Sequence, residues 1–103
     1  MLKRTSRLPR EGFQSVAGGR RLIAPHFSIS YRPGAGQGAV VVSKKAAPKS
    51  VDRHLVKRRV MDLIRPHIGH GVSFIVYARK GAAALPFRAI RGELEPLFAT
   101  LHV

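Results

Sequence analysis

Along residues 10–17 the apolar side chains Phe13, Val16 and Ala17 stand at i, i+3 and i+4, the spacing of a short helix with one apolar face. Gly18 and Gly19 end it. From residue 27 the period shortens to two: Phe27-Ser-Ile-Ser-Tyr31 alternates as a half-buried strand does. Residues 32–38 contain Pro33, Gly34, Gly36 and Gly38 and read as a turn-rich loop, and residues 39–43 as a second strand. Together they predict a hairpin with a loose tip. The loop could also be read as a phosphate cradle, but it joins two predicted strands instead of opening a helix, so neither the dinucleotide fingerprint nor the Walker pattern is met.

Residues 48–65 return to the helical period. Placed at about 100° per residue, Val56, Val60, Leu63 and Ile64 share one arc, and His54, Lys57, Arg58, Met61 and Arg65 share another that faces outward. Pro66 stops this helix. Residues 71–78 predict a third strand, with Val72, Phe74, Val76 and Ala78 on one side and Ser73, Ile75 and Tyr77 on the other; apolar groups on both faces place it centrally in a sheet. Residues 85–103 predict a last helix, in which Phe87, Ile90, Leu94, Leu97, Phe98 and Leu101 form a single stripe. Pro86 suits its first turn, and Pro96 opposes the carbonyl of Gly92, which predicts a bend and not a break.

A chain of 103 residues, 45% hydrophobic, is expected to fold as one domain, residues 1–103, burying roughly two thirds of its extended surface. There is no cysteine, which excludes Cys-ligated zinc, iron–sulfur clusters and thiol catalysis and fits a reducing, cytoplasmic setting. No apolar run approaches the roughly 20 residues that span a bilayer, so no membrane is expected. The basic residues 1–10 are not followed by the apolar stretch of a secretory signal, although an Arg-rich, acid-poor start is also what an organelle transit peptide shows.

Charge changes the picture most. Nineteen Lys and Arg against five Asp and Glu give a formal net charge of +14, and residues 1–65 hold fifteen of those cations against three acids. Self-repulsion at this density opposes compaction and calls for a polyanionic partner, with nucleic acid the first candidate and an anionic membrane surface the second. The outward arc of the 48–65 helix concentrates the charge. A solvated basic face is the plainer reading, but like charges at successive helical neighbours cost stability that a partner would recover. Lys44, Lys45 and Lys49 precede that helix, whose first turn already favours phosphate through its free N–H groups.

Catalytic side chains are hard to assemble from this sequence. The acids Glu11, Asp52, Asp62, Glu93 and Glu95 suggest no carboxylate dyad, His67 and His70 make only a short pair without a neighbouring acid, and Ser43 beside two lysines is a weak version of a Ser-Lys nucleophile. No metal site and no catalytic residue are expected in the protein itself.

The order of elements, together with Arg7-Leu8, Phe13, Phe27, Val42-Ser43-Lys44-Lys45, Val51-Asp-Arg-His-Leu-Val-Lys-Arg-Arg-Val60, Ile75-Val-Tyr-Ala-Arg-Lys80 and Glu93-Leu94, resembles the protein component of bacterial ribonuclease P over nearly the whole chain. The resemblance implies a small two-layer α/β (α+β) sandwich, of the ribonuclease P protein-like and ribosomal protein S5 domain 2-like type, with the basic helix in a left-handed crossover on a mixed sheet. It implies a ribonucleoprotein endonuclease: a subunit that binds the ribonuclease P catalytic RNA and the 5′ leader of precursor tRNA in tRNA 5′-end maturation, with Mg2+ and bond breaking on the RNA and no obligate protein partner. RNA contacts carried over are Lys44, Lys45, Lys49, Arg53, His54, Lys57, Arg58, Arg59 and Arg65; the family's Arg-Asn-Arg signature falls on Arg53-His54-Leu55 and keeps one residue of three. Leader contacts carried over are Phe13, Tyr31, Arg79 and Lys80, with Ala17 where a second aromatic is usual and Tyr31 one place from the strand tyrosine of the family. A small ribosomal or ribosome-associated RNA-binding protein, or a hydrolase acting alone, are the alternatives from other classes.

Overall fold

A computed structural model describes residues 8–101; the Arg7 landmark lies outside them. Element order is α1 (Arg10–Ala17), β1 (Arg20–Ile23), β2 (Phe27–Pro33), β3 (Gly38–Val42), α2 (Ser50–Ile64), β4 (Val72–Ala78) and α3 (Phe87–Leu101), with 3-10 turns at Arg65–His67 and Ala82–Ala84. The four strands form one mixed sheet in the order β1-β2-β4-β3. β1 pairs antiparallel with β2, β2 antiparallel with β4, and β3 parallel with β4. This is the mixed α+β class expected from the sequence.

The expected hairpin is not formed. β4 lies between β2 and β3, so the segment joining them crosses the end of β4 instead of turning tightly. Backbone bonds bind it there: Gly34 N–H to Gly71 O (3.0 Å), Gly69 N–H to Gly36 O (2.9 Å) and Phe74 N–H to Gln37 O (3.0 Å). Gly36 has φ +81°, and a Cβ there would meet the Gly69 backbone at 2.7 Å, so the glycines serve a close backbone crossing. No helix follows them to bind phosphate.

Both faces of β4 are buried because helices cover both sides of the sheet. Phe27 and Ile29 of β2 and Phe74, Val76 and Ala78 of β4 join Val56, Val60 and Ile64 of α2 and Ile90, Leu94, Phe98 and Leu101 of α3 in the main core. Phe74 and Phe98 meet edge to face at 5.1 Å. Ile75, on the opposite parity, is fully buried on the side where α1 lies, with Val16 turned inward. Arg32 of β2 also points to that side, its Nη1 donating to Ser15 Oγ of α1 at 2.7 Å. The helix α3 runs through Pro96, as expected.

One polar contact locks the β1–β2 turn to α3. The Glu93 carboxylate accepts the His26 backbone N–H at 2.8 Å and lies 2.7 Å from its ring Nδ1. Because the Glu93 side chain is mostly buried, Glu93→Ala leaves two donors short of an acceptor, a cost of about 1–3 kcal/mol. Thermal denaturation followed by circular dichroism should show that loss, while Glu95→Ala, whose partner Arg91 is a surface residue, should cost less than about 1 kcal/mol.

Candidate nucleic-acid interface

Helix α2 positions the basic surface. Its apolar residues Val56, Val60 and Ile64 are driven against the sheet, which fixes the rotation of the helix and turns the remaining arc outward. On that arc His54, Arg58 and Arg65 are exposed and Lys57 and Met61 half-buried. With Asp62 these five line a shallow recess of about 310 Å³. Asp62, four residues beyond Arg58, reaches Arg65 at 3.2 Å, so a single carboxylate faces His54, Lys57, Arg58 and Arg65 in the recess. The sequence reading of this face thus agrees with the geometry.

The other predicted RNA contacts divide. Lys44 and Lys45 are exposed in the turn that follows β3, and Lys49 is exposed at the residue preceding α2. Ser43 shapes that turn: its Oγ accepts the Ala46 N–H at 3.2 Å and its carbonyl the Ala47 N–H at 3.0 Å. That is a turn-forming role and not the role of a nucleophile. Arg53 folds back, Nη1 donating to the carbonyls of Ala47 (2.9 Å) and Pro48 (2.8 Å), so it clamps the entry to α2. Arg59 lies off the arc and donates from Nη1 to Leu85 O at 2.7 Å, joining α2 to the start of α3. Both arginines spend donors on the fold.

The predicted leader contacts are not brought together. Phe13, half-buried, belongs to α1. Tyr31 shares the parity of Phe27 and Ile29, packs against the main core and, with Arg20, lines a recess of about 510 Å³ beside Ala99, Thr100 and Leu101 of α3. It is thus on the face opposite α1. The aromatic ring on the α1 face of the sheet is instead Tyr77, paired with Ser28 and Val41, and the Arg21 guanidinium stands 5.7 Å from its centroid, within cation–π range. Arg79 and Lys80 are exposed just beyond β4, with Arg79 Nη1 donating to Ala24 O at 3.2 Å. Tyr77 and Arg21 are candidates that the sequence reading did not name. The alternation in β4 already set Tyr77 apart from the core, whereas Arg21 carried no pattern, because a four-residue strand that begins with two arginines does not look like one.

The histidines near the end of α2 are engaged in packing and backbone contacts. His67 stacks on Phe98 at 4.2 Å with the rings 5° from parallel, and His70 Nε2 lies 2.8 Å from Pro66 O. Among the described residues no group of three or more His, Asp or Glu side chains converges to hold a metal, and no helix is long and apolar enough to cross a membrane.

Residues 2–102 match the family model described as Ribonuclease P. The chain is 33% identical over 105 residues to the ribonuclease P protein component of Thioalkalivibrio sulfidiphilus, covering 95% of this chain and 88% of that one. It is 29% identical to the component of Microcystis aeruginosa, covering 91% and 88%. Among solved structures it resembles the RNase P protein of Staphylococcus aureus (TM-score 0.80, 22% identity, 98% of each chain) and that of Thermotoga maritima (TM-score 0.78, 24% identity, 91% of this chain and 96% of that one); these two likenesses speak to the fold.

Proposed function

We propose, from the premise that this chain belongs to the ribonuclease P protein family, that it binds the catalytic RNA through the outward arc of α2 and the single-stranded 5′ leader of precursor tRNA on the α1 face of the sheet. The observation that carries this reading is the arc itself: His54, Lys57 and Arg58 are held outward by a helix whose opposite side is fixed in the core. Exposed cations in fixed register neutralise phosphates and release their counterions, which supplies affinity without reading sequence. Lys44, Lys45 and Lys49 extend that field along the turn before the helix. On the other face Phe13, Tyr77 and Arg21 offer aromatic and guanidinium surfaces on which unpaired bases can stack, worth about 1–3 kcal/mol per base.

The protein's own residues bind and orient; they do not break the phosphodiester. In this reading Mg2+ and the hydrolytic step belong to the catalytic RNA, as the family resemblance implies, and the side chains of this chain bind and orient. What the chain supplies is positive charge that lowers the repulsion between RNA subunit and substrate, which reduces the Mg2+ needed for assembly.

Cleavage of a precursor tRNA by the catalytic RNA of the same genome, with and without this protein at low Mg2+, tests the proposal. Stimulation with a product at the mature 5′ end is the expected result. The affinity for that RNA should fall about 10³- to 10⁵-fold between 50 and 200 mM salt if about six to ten phosphates are neutralised. Tight, salt-sensitive binding without stimulated cleavage would remove the processing role and leave an RNA-binding protein of another complex.

A further inference from the structure

Two apolar side chains interrupt the cationic helix on its solvent side. Val51 and Leu55 are 74% and 37% exposed, and at a spacing of four residues they are neighbours on one side of α2. Neither belongs to the core, which takes Val56, Val60 and Ile64. Arg58 and Arg59 stand three and four residues beyond Leu55, His54 is its neighbour in the chain, and Lys49 lies just before Val51. The pair is therefore an apolar island bordered by His54 and Arg58, with Asp52 beside Val51 in the chain.

Its surroundings select the occupant. A second copy of this chain would bring its own basic helix against Arg58 and Lys57, like charge on like charge, and two side chains are far short of the roughly 1,200 Å² of buried surface at which stable protein interfaces begin. RNA satisfies both parts of the surface at once. Its phosphates meet the cations, while an unpaired base, splayed from its stack, presents a flat apolar face that loses water when it packs on a side chain. We infer that Val51 and Leu55 form a shelf for an unpaired nucleobase of the RNA partner, with Arg58 and His54 holding the adjacent phosphates. The inference rests on the RNA-binding role proposed above and adds to it a contact whose strength does not depend on salt.

Salt separates the two kinds of contact. With the catalytic RNA of the same genome as probe, V51S/L55S should weaken binding about tenfold, on the scale expected for losing apolar burial, and leave the slope of log K against log salt unchanged because no cation is removed. Arg58→Ala should lower that slope by about one. Both changed residues are exposed, so circular dichroism should show the wild-type fold and nearly the wild-type thermal midpoint. The site can also be mapped: the chain has no cysteine, so Leu55→Cys provides one attachment point for a photoactivated benzophenone. A cross-link to an unpaired nucleotide is the expected outcome. Unchanged affinity of V51S/L55S, or cross-linking to a second copy of the chain or to paired nucleotides alone, overturns the shelf. Wild-type protein that fails to bind the RNA at all overturns the functional reading instead, so the two failures are told apart by the unmodified protein.

Discussion

The double charge reversal K57E/R58E is expected to abolish stimulation of precursor tRNA cleavage at low Mg2+ and to weaken binding of the catalytic RNA by about 10²-fold or more. Each substitution removes a cation from the recess on α2 and sets a carboxylate in its place, so the local field changes by four units of charge, and repulsion of phosphate is added to the lost counterion release. The fold should be spared. Neither residue contributes to the core, and Glu is nearly as good a helix former as Lys or Arg. The new neighbour pair, Glu at position 58 with Asp62 four residues on, costs only a few tenths of a kcal/mol. Cleavage at saturating protein, binding by filter retention and the circular dichroism spectrum would be measured together. Wild-type stimulation by a folded double mutant would show that α2 is not the RNA-binding helix. R53A and R59A make the informative contrast, since both arginines are held by backbone carbonyls; these changes should lower stability more than they lower the salt slope of binding.

Phe98→Ala is expected to be the most damaging single truncation in the core. Phe98 is 1% exposed, meets Phe74 edge to face at 5.1 Å and carries the stacked ring of His67 at 4.2 Å. It therefore joins α3 both to the central strand and to the turn that ends α2. Removing a buried aromatic ring costs about 3–5 kcal/mol, out of a total near 5–15 kcal/mol for a domain, and each kcal/mol lowers Tm by about 4–8 °C at this size. The variant should be largely unfolded near 37 °C, with a thermal midpoint partly restored by saturating RNA, since a ligand of the folded state stabilises it. Phe98→Leu keeps most of the volume and should cost far less. A fall in Tm of only a few degrees in Phe98→Ala would mean that α3 is not anchored through this ring.

The parts of the fold that follow from local periodicity were legible in the sequence. The inward sides of α2 and α3 lie where the helical arcs put them, except that Phe87, counted in the α3 stripe, is 39% exposed at the first turn of the helix, and β4 is central because its apolar residues occupy both parities. Strand order was not legible. β2 and β3 are close in sequence and look like a hairpin, but the partner that separates them, β4, arrives only after the whole of α2, and no local pattern announces a long-range pairing. The site divides in the same way. The outward arc of α2 could be read because one helix carries it, while the donors of Arg53 and Arg59 are claimed by carbonyls whose positions depend on tertiary packing. Tyr31 is the sharpest case, since a shift of one residue in a strand moves a side chain to the other face and it packs with the main core instead of facing α1.

The position of β4 also bears on how the chain comes to be folded during synthesis. Translation delivers β1, β2, β3 and α2 in that order, yet β2 and β3 have no direct hydrogen-bonded contact with each other, and both must wait for residues 72–78 to be joined. Until that strand is available, a nascent chain carrying most of the positive charge of the protein has at most the β1–β2 pair and not the four-stranded sheet on which its basic helix sits. The cations are therefore produced well before the surface that gives them their register. In the proposed role, selective RNA binding is a property of the finished topology, and a growing chain stalled before residue 72 would hold RNA by charge alone, with little choice of partner.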